Sequence, residues 1–444
     1  MDQSRRDFLK KAAVGTAGIT FGGLYMKPGA YASVTGANDR LNVAVVGVHS
    51  RGKAHVHALS KVENVNIAYI CDVDSRVRDE AVKMVHDLTG KKPQAFTDIR
   101  KLLEEKDLDA ITIATPEQWH APMALMAMQA GKHVYVEKPC SHNPEEGEIL
   151  VAAQKKYGKV VQMGNQQRSA PTSIQAVKDI REGLIGRPYQ GYAWYANTRG
   201  SIGKGKKVAV PEWLDWELWQ GPAPRRDYQD IWVHYNWHWF WDYGTGEINN
   251  NGTHEIDVCR WALGVDYPEK VTSAGGRYAY DDDWEFYDTQ VVNYEFPDDK
   301  MITWEGRSCN GFPTHERGRG ATIHGTEGTV LVDRNGYIAY NKKNEVIKEL
   351  TEKEASATTD TRGEGSLDVY HVRNFVNAIR INEKQHSPID QGAVSNLLCH
   401  LGNISQNVGR TLLTDSKNGH ILNDGEAMQM WSREYEPGWE MKLS

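Results

Sequence analysis

From Leu41 to about residue 163 short apolar runs alternate with amphipathic stretches, the pattern of a doubly wound α/β domain. Val43, Ala44, Val45 and Val46 make a buried strand that closes on Gly47, and a helical pattern opens near Gly52. A second strand over residues 65–70 ends at Asp72. The spacing then predicts helices over 77–88 and 98–105, a strand over 109–114, a helix over 122–130 and a strand over 131–136 that delivers Glu137-Lys138-Pro139 at its carboxyl end. Further on, the runs 271–276, 288–296, 301–307, 321–325 and 329–333 alternate like strands of one sheet. Residues 341–366 are polar and weakly periodic, and read as a long surface loop. Residues 369–380 and 393–410 have helical apolar spacing, the latter expected to pack back on the sheet.

The turn after the first strand carries chemistry. Gly47 and Gly52 occupy the first and third glycine positions of G-x-G-x-x-G, with His49 in the middle and Ser50 and Arg51 between. In a dinucleotide-binding turn the first glycine permits the bend and the third lets helix and strand pack closely. A histidine in the middle must point outward to leave room for pyrophosphate. Asp72 follows Gly47 by 25 residues, near the offset at which a carboxylate reaches ribose hydroxyls, so NAD is favoured over NADP. Arg76 nearby can compensate by pairing with a 2′-phosphate. Ligands of open parallel sheets bind outside the carboxyl ends of the strands, where Lys138 falls. An ammonium there can stabilise a developing alkoxide and relay its proton.

Composition narrows the picture. A net charge of −7 over 444 residues argues against a nucleic-acid partner. The five cysteines (Cys71, Cys140, Cys259, Cys309, Cys399) are scattered without a C-x-x-C, so neither a disulfide framework nor a zinc site is expected. Residues 1–32 read as an address: the twin-arginine pattern Ser4-Arg5-Arg6-Asp7-Phe8-Leu9-Lys10, a mildly apolar run over 12–26 and the small-residue site Ala30-Tyr31-Ala32. Cleavage after Ala32 and export to the periplasm are expected, with no stable membrane span, because the apolar run is shorter than the ~20 residues a span needs. About 410 residues then remain, enough for two domains. Seven of the fourteen tryptophans lie between Trp213 and Trp241, mixed with His234, His238, Asn236, Asp242 and Tyr243. Most should be core, and one to three should touch a sugar or polyol. His234 and His238 are four apart but lack a further ligand, so no metal site is expected.

Taken together, GVHSRGKAH, the Asp72 strand end, Ala114-Thr115-Pro116 with His120, Glu137-Lys138-Pro139, Gly164-Asn165-Gln166 and Gly252-Thr253-His254-Glu255-Ile256-Asp257 resemble the Gfo/Idh/MocA oxidoreductase family, that of glucose–fructose oxidoreductase and inositol dehydrogenase. The resemblance implies an N-terminal Rossmann domain over about 38–162 and a C-terminal α+β domain over 163–444 with a large, mostly antiparallel sheet that carries the substrate site and an oligomer contact, as a dimer or tetramer. It implies Lys138 and His254 as catalytic residues. Around NAD (NADP being possible) it places Gly47, His49, Ser50, Arg51, Gly52, Asp72, Thr115, Pro116, Trp119, His120, Glu137, Lys138 and Gln166. Around a carbohydrate or polyol it places Lys138, Arg168, Trp237, Asp242, Asn250 and His254. Inositol dehydrogenase-type members carry an aspartate four residues before the histidine, where this chain has Asn250. Asp257 either orients His254 or pairs structurally.

The resemblance implies hydride transfer between NAD(P) and a hydroxyl carbon of a sugar or glycoside. Twin-arginine export adds that the cofactor is expected to be loaded before export and retained, so that one sugar is oxidised and a second, or the same molecule after rearrangement, takes the hydride back. Two alternatives stand beside it. One is an NAD-dependent glycoside hydrolase like the family's α-N-acetylgalactosaminidases, in which the Glu-Lys-Pro lysine is absent. The other is a sugar-sensing or scaffold protein that keeps NAD without turnover.

Overall fold

The computed structural model describes residues 40–352 and 366–443. The expected export signal over 1–32 lies outside them. Alternating strands and helices build a parallel six-stranded sheet in the order β3-β2-β1-β4-β5-β6. Its strands are β1 (Leu41–Val46), β2 (Val65–Cys71), β3 (Gln94–Phe96), β4 (Ala110–Ile113), β5 (His133–Val136) and β6 (Val161–Met163). The central strands are buried on both faces, and β4 is buried at every position. Local signals set the helix starts: Asp74 accepts from the Arg76 N–H to cap Ser75–Thr89, and Asn143 accepts from the Glu146 N–H ahead of Pro144 to cap Pro144–Tyr157.

The second sheet has nine strands in the order β14-β13-β12-β11-β7-β10-β9-β8-β15. They are β7 (Pro188–Ala196), β8 (Lys270–Gly276), β9 (Thr289–Phe296), β10 (Lys300–Arg307), β11 (Arg319–Gly325), β12 (Gly328–Asp333), β13 (Gly336–Asn341), β14 (Val346–Thr351) and β15 (Leu412–Leu413). All neighbours are antiparallel except β7 and β10. One face packs on helices Thr253–Leu263 and Ile389–Val408, burying Ile256, Cys259, Leu398 and Leu401 against Val292, Tyr294, Ile302 and Trp304. The expected α/β domain followed by an α+β domain is the observed architecture.

One sequence expectation needs correction, and one strand was not expected. The expected loop over 341–366 contains β14, which pairs with β13; its Val346, Ile347 and Leu350 are exposed, so as an edge strand it has no alternating burial to betray it. Residues 353–365 lie outside the described ones. Central β7 carries no regular alternation, because most of its second half is buried on both faces. The helix Ser366–Ile381 packs on the first sheet, where Val369, Val372, Phe375 and Val376 join Val43, Val45 and Val56 in one core. All five cysteines are free thiols. No described helix is long and apolar enough to cross a membrane.

Candidate active site

The carboxyl ends of the parallel strands and one end of the second sheet enclose a cavity of about 400 Å³. At its nucleotide-like end Gly47 has φ +80°, a conformation side chains rarely adopt, and a Cβ there would lie 2.7 Å from the Ala114 carbonyl. A Cβ on Gly52 would lie 1.8 Å from the Gly47 oxygen. Gly52 therefore sets the close approach of helix Arg51–Ser60 and does not line the cavity, unlike Gly47, His49, Ser50 and Arg51. That helix has no side-chain N-cap and opens at the cavity, so its first N–H groups are suited to an anion. Asp72 accepts from the Val48 N–H at 2.7 Å and the Asp74 N–H at 2.9 Å, while burial pushes its carboxyl up. This cradle fits a dinucleotide.

Thr115, Pro116, Trp119, His120 and Gln166 also line the cavity, but several are engaged. His120 bridges the Pro139 carbonyl at 2.6 Å and the Thr115 carbonyl at 2.8 Å, and Trp119 donates to the Trp219 carbonyl at 3.0 Å. Glu137 receives Arg51 at 2.8 Å, the Gln166 amide at 2.9 Å and His55 at 2.9 Å. Burial alone would push the Glu137 carboxyl up; Arg51 and His55 hold it well below the usual range. Arg51 also pairs with Asp368, from the helix that covers the first sheet.

Lys138 and His254 meet in this cavity. The Lys138 ammonium donates to the Asn250 carbonyl and to its side-chain Oδ1 at 3.0 Å, so Asn250 positions the lysine from a π-helical turn, Ile248–Gly252. Burial lowers the Lys138 pKa, against the pull of Glu137 and Glu117. His254 lies in the first turn of helix Thr253–Leu263, which continues directly from that π-helical turn; burial, then the charges of Arg334 and Lys138, keep its imidazole well below 6.5 and hence neutral. Glu117, unremarked in the sequence although it follows Thr115-Pro116 directly, accepts from the Thr245 hydroxyl, and burial raises its carboxyl to about 8.

Two expected substrate residues lie elsewhere. Arg168 is buried in a two-pronged pair with Asp257, at 2.7 and 2.8 Å, and Asp242 pairs with Arg226. Neither lines the cavity. The first pair also settles Asp257: it fixes Arg168 and accepts from the Ser395 hydroxyl at 2.5 Å, and does not orient His254. Of the seven clustered tryptophans, Trp219 and Trp237 reach the cavity. Trp216, Trp232 and Trp239 pack among Tyr243, Phe240 and Trp284. Tyr195, Asn197, Arg199, Arg319 and Arg334, supplied by the second sheet and its turns, complete the wall. The carboxylate partners of Arg199 and Arg319 are distant in sequence, and no local motif marks these residues.

Residues 41–165 match the model of an oxidoreductase family with an NAD-binding Rossmann fold, and residues 172–441 match the C-terminal alpha/beta domain of the same oxidoreductase family. Among curated proteins, a glycosyl hydrolase family 109 protein of Shewanella pealeana is 33% identical over 211 residues, 44% of this chain and 46% of that protein. An alpha-N-acetylgalactosaminidase of Shewanella oneidensis is 31% identical over 208 residues, 43% of this chain and 45% of that protein. The matched stretch thus spans about half the length of these relatives. Among solved structures, levoglucosan dehydrogenase in complex with NADH and levoglucosan is 19% identical, with a TM-score of 0.64 over 84% of this chain and 99% of that one, a likeness of fold.

Proposed function

The chain belongs to the Gfo/Idh/MocA family of oxidoreductases, and from that premise we propose that it transfers hydride between NAD and a hydroxyl carbon of a sugar or glycoside. The observation that carries the reading is the buried Lys138, held by Asn250 in the cavity that also holds the neutral ring of His254. Bound NAD would supply the hydride acceptor at its nicotinamide. The uncapped start of helix Arg51–Ser60 would hold the pyrophosphate and Asp72 the adenosine ribose. His254, neutral and without a protein hydrogen-bond partner among the described residues, takes the hydroxyl proton; the Lys138 ammonium stabilises the oxygen as negative charge develops on it. Trp237 offers an apolar face for a sugar ring.

Retention of the cofactor belongs to the same reading. The twin-arginine pattern at residues 4–10 supports export of a folded, loaded protein, and a retained nucleotide implies a closed cycle between a donor and an acceptor sugar. A second reading, hydrolysis through transient oxidation, is supported by the glycosyl hydrolase family 109 relatives. The presence of Lys138 favours the oxidoreductase.

The test is mass spectrometry of nucleotide released from denatured mature protein, followed by turnover assays. NAD should be found. A donor sugar alone should give one turnover, and a donor with a keto-sugar acceptor many. Lys138→Ala should keep the nucleotide and slow hydride transfer by roughly 10²-fold. Unchanged turnover removes Lys138 from the mechanism; an empty protein that continuously reduces added NAD sinks the retained cycle. Release of a glycosidic leaving group without net change in NAD favours the hydrolase.

A further inference from the structure

The cavity wall contributed by the second sheet is cationic, and most of its charge is answered by protein carboxylates. Arg199 pairs with Glu247 at 2.8 Å and Arg319 grips Glu255 at 2.7 and 3.0 Å, while across the cavity Arg51 of the dinucleotide turn is shared by Glu137 and Asp368. Arg334 is different. It lines the same cavity, its buried Nε has no hydrogen-bond partner, and no carboxylate among the described residues forms an ion pair with it. Burial, then the charge of Arg319, pulls its guanidinium down from 12.5 to about 9, with Glu255 and Asp368 acting the other way but forming no ion pair with it.

The turn that carries Arg334 is built to hold it there. Asp333 accepts from the Asn335 N–H at 2.7 Å, the Gly336 N–H at 3.1 Å and Arg317 Nε at 2.6 Å, and its carbonyl accepts the Gln167 amide at 3.1 Å. The backbone on both sides of Arg334 is thus pinned between β12 and β13. Arg334 and His254 line the same cavity, and among the charges acting on His254 that of Arg334 is the largest. The dinucleotide turn provides its own anion site at the start of helix Arg51–Ser60.

We propose that the sugar handled by this site carries an oxyanion, as a carboxylate or as a sulfate or phosphate ester, held by Arg334 beside His254. A guanidinium fork suits the two or three equivalent oxygens of such a group, and the anion would supply a direct ion-pair partner that no carboxylate among the described residues supplies. The assignment rests on the carbohydrate reading of the cavity given above.

The test compares, on the nucleotide-loaded protein, methyl hexosides with the matching methyl hexuronosides, hexoside 6-sulfates and hexoside 6-phosphates. Reduction of bound nucleotide and thermal-shift binding are read separately. At least one charged class should exceed its neutral parent in kcat/KM by about tenfold or more, and the class that does so identifies the oxyanion. Arg334→Gln should cut that charged-over-neutral ratio by about tenfold or more with nucleotide content unchanged, and Arg334→Lys should restore part of it. Equal or better use of the neutral sugars overturns the proposal, and this arm needs no variant to fold. A ratio untouched by Arg334→Gln, or loss of bound nucleotide in that variant, overturns it too, the latter by assigning Arg334 to the cofactor. Tighter binding of charged sugars without nucleotide reduction sinks the redox reading and leaves the charge assignment standing.

Discussion

His49 and His234 stack ring on ring, with centroids 4.0 Å apart and planes 13° apart. The first belongs to the dinucleotide turn and the second to the tryptophan-rich segment that follows β7. His234 is fixed from behind: its Nε2 meets Asp74 at 2.9 Å, and Trp213 stacks beyond it with a centroid distance of 6.0 Å. The later segment therefore straps the turn where pyrophosphate would sit. His234→Ala should leave the fold intact while the nucleotide is lost during gel filtration, measured as moles released per mole of denatured protein. Full content in the variant would show that retention has another cause.

What the sequence made legible was local. Gly47, Asp72 and Lys138 each sit at the carboxyl end of an apolar run, so period and turn chemistry placed them without knowledge of the rest. The groups that could not be read are joined over long stretches. Arg51 meets Asp368 across 317 residues, and the hairpin turn bearing Arg334 looks like any other until β12 is seen packed against β11. Arg168, which the resemblance places at the substrate, is a further case: only the fold brings Asp257 to it. Glu117 was within reach, being next to Thr115-Pro116, but nothing local signalled that it would be buried.

Cofactor choice follows from Asp72 and Arg76. Arg76 directs its fork at Asp74, at 2.8 and 3.2 Å, and lies 3.4 Å over the Trp213 ring. It is engaged away from the cavity, whereas Asp72 lines it and would repel a 2′-phosphate. Emptied protein should bind NAD more tightly than NADP, and Arg76→Ala should not reverse the order. Competition binding of the two nucleotides checks this, and tighter NADP binding would refute it.

Arg168 is a structural residue and should behave as one. Its side chain and that of Asp257 are 6% and 2% exposed, so Arg168→Met strands a buried carboxylate and should cost about 3–5 kcal/mol. Urea unfolding would record the loss. KM for sugar should not move where the variant is folded. The double variant Arg168→Met with Asp257→Leu should recover much of the stability, since replacing a buried ion pair by apolar groups is often neutral. A raised KM without lost stability would return Arg168 to the substrate site.

Glu117 makes stability depend on pH in an unusual direction. Burial, partly offset by the Thr245 hydroxyl and Lys138, raises its folded-state carboxyl from 4.5 to about 8. The unfolded chain therefore releases this proton first. As pH climbs from about 4.5 to about 8 the folded state binds more protons than the unfolded one, so this group's contribution to stability falls across that window and levels off above it. Glutamine mimics the protonated acid, able to accept from Thr245 without titrating. The melting temperature of Glu117→Gln should thus match wild type near pH 4.5 and exceed it by a margin that widens up to pH 8. A gap independent of pH would mean that the Glu117 carboxyl ionises at its ordinary value, and that it holds no proton in the cavity beside Lys138 at neutral pH.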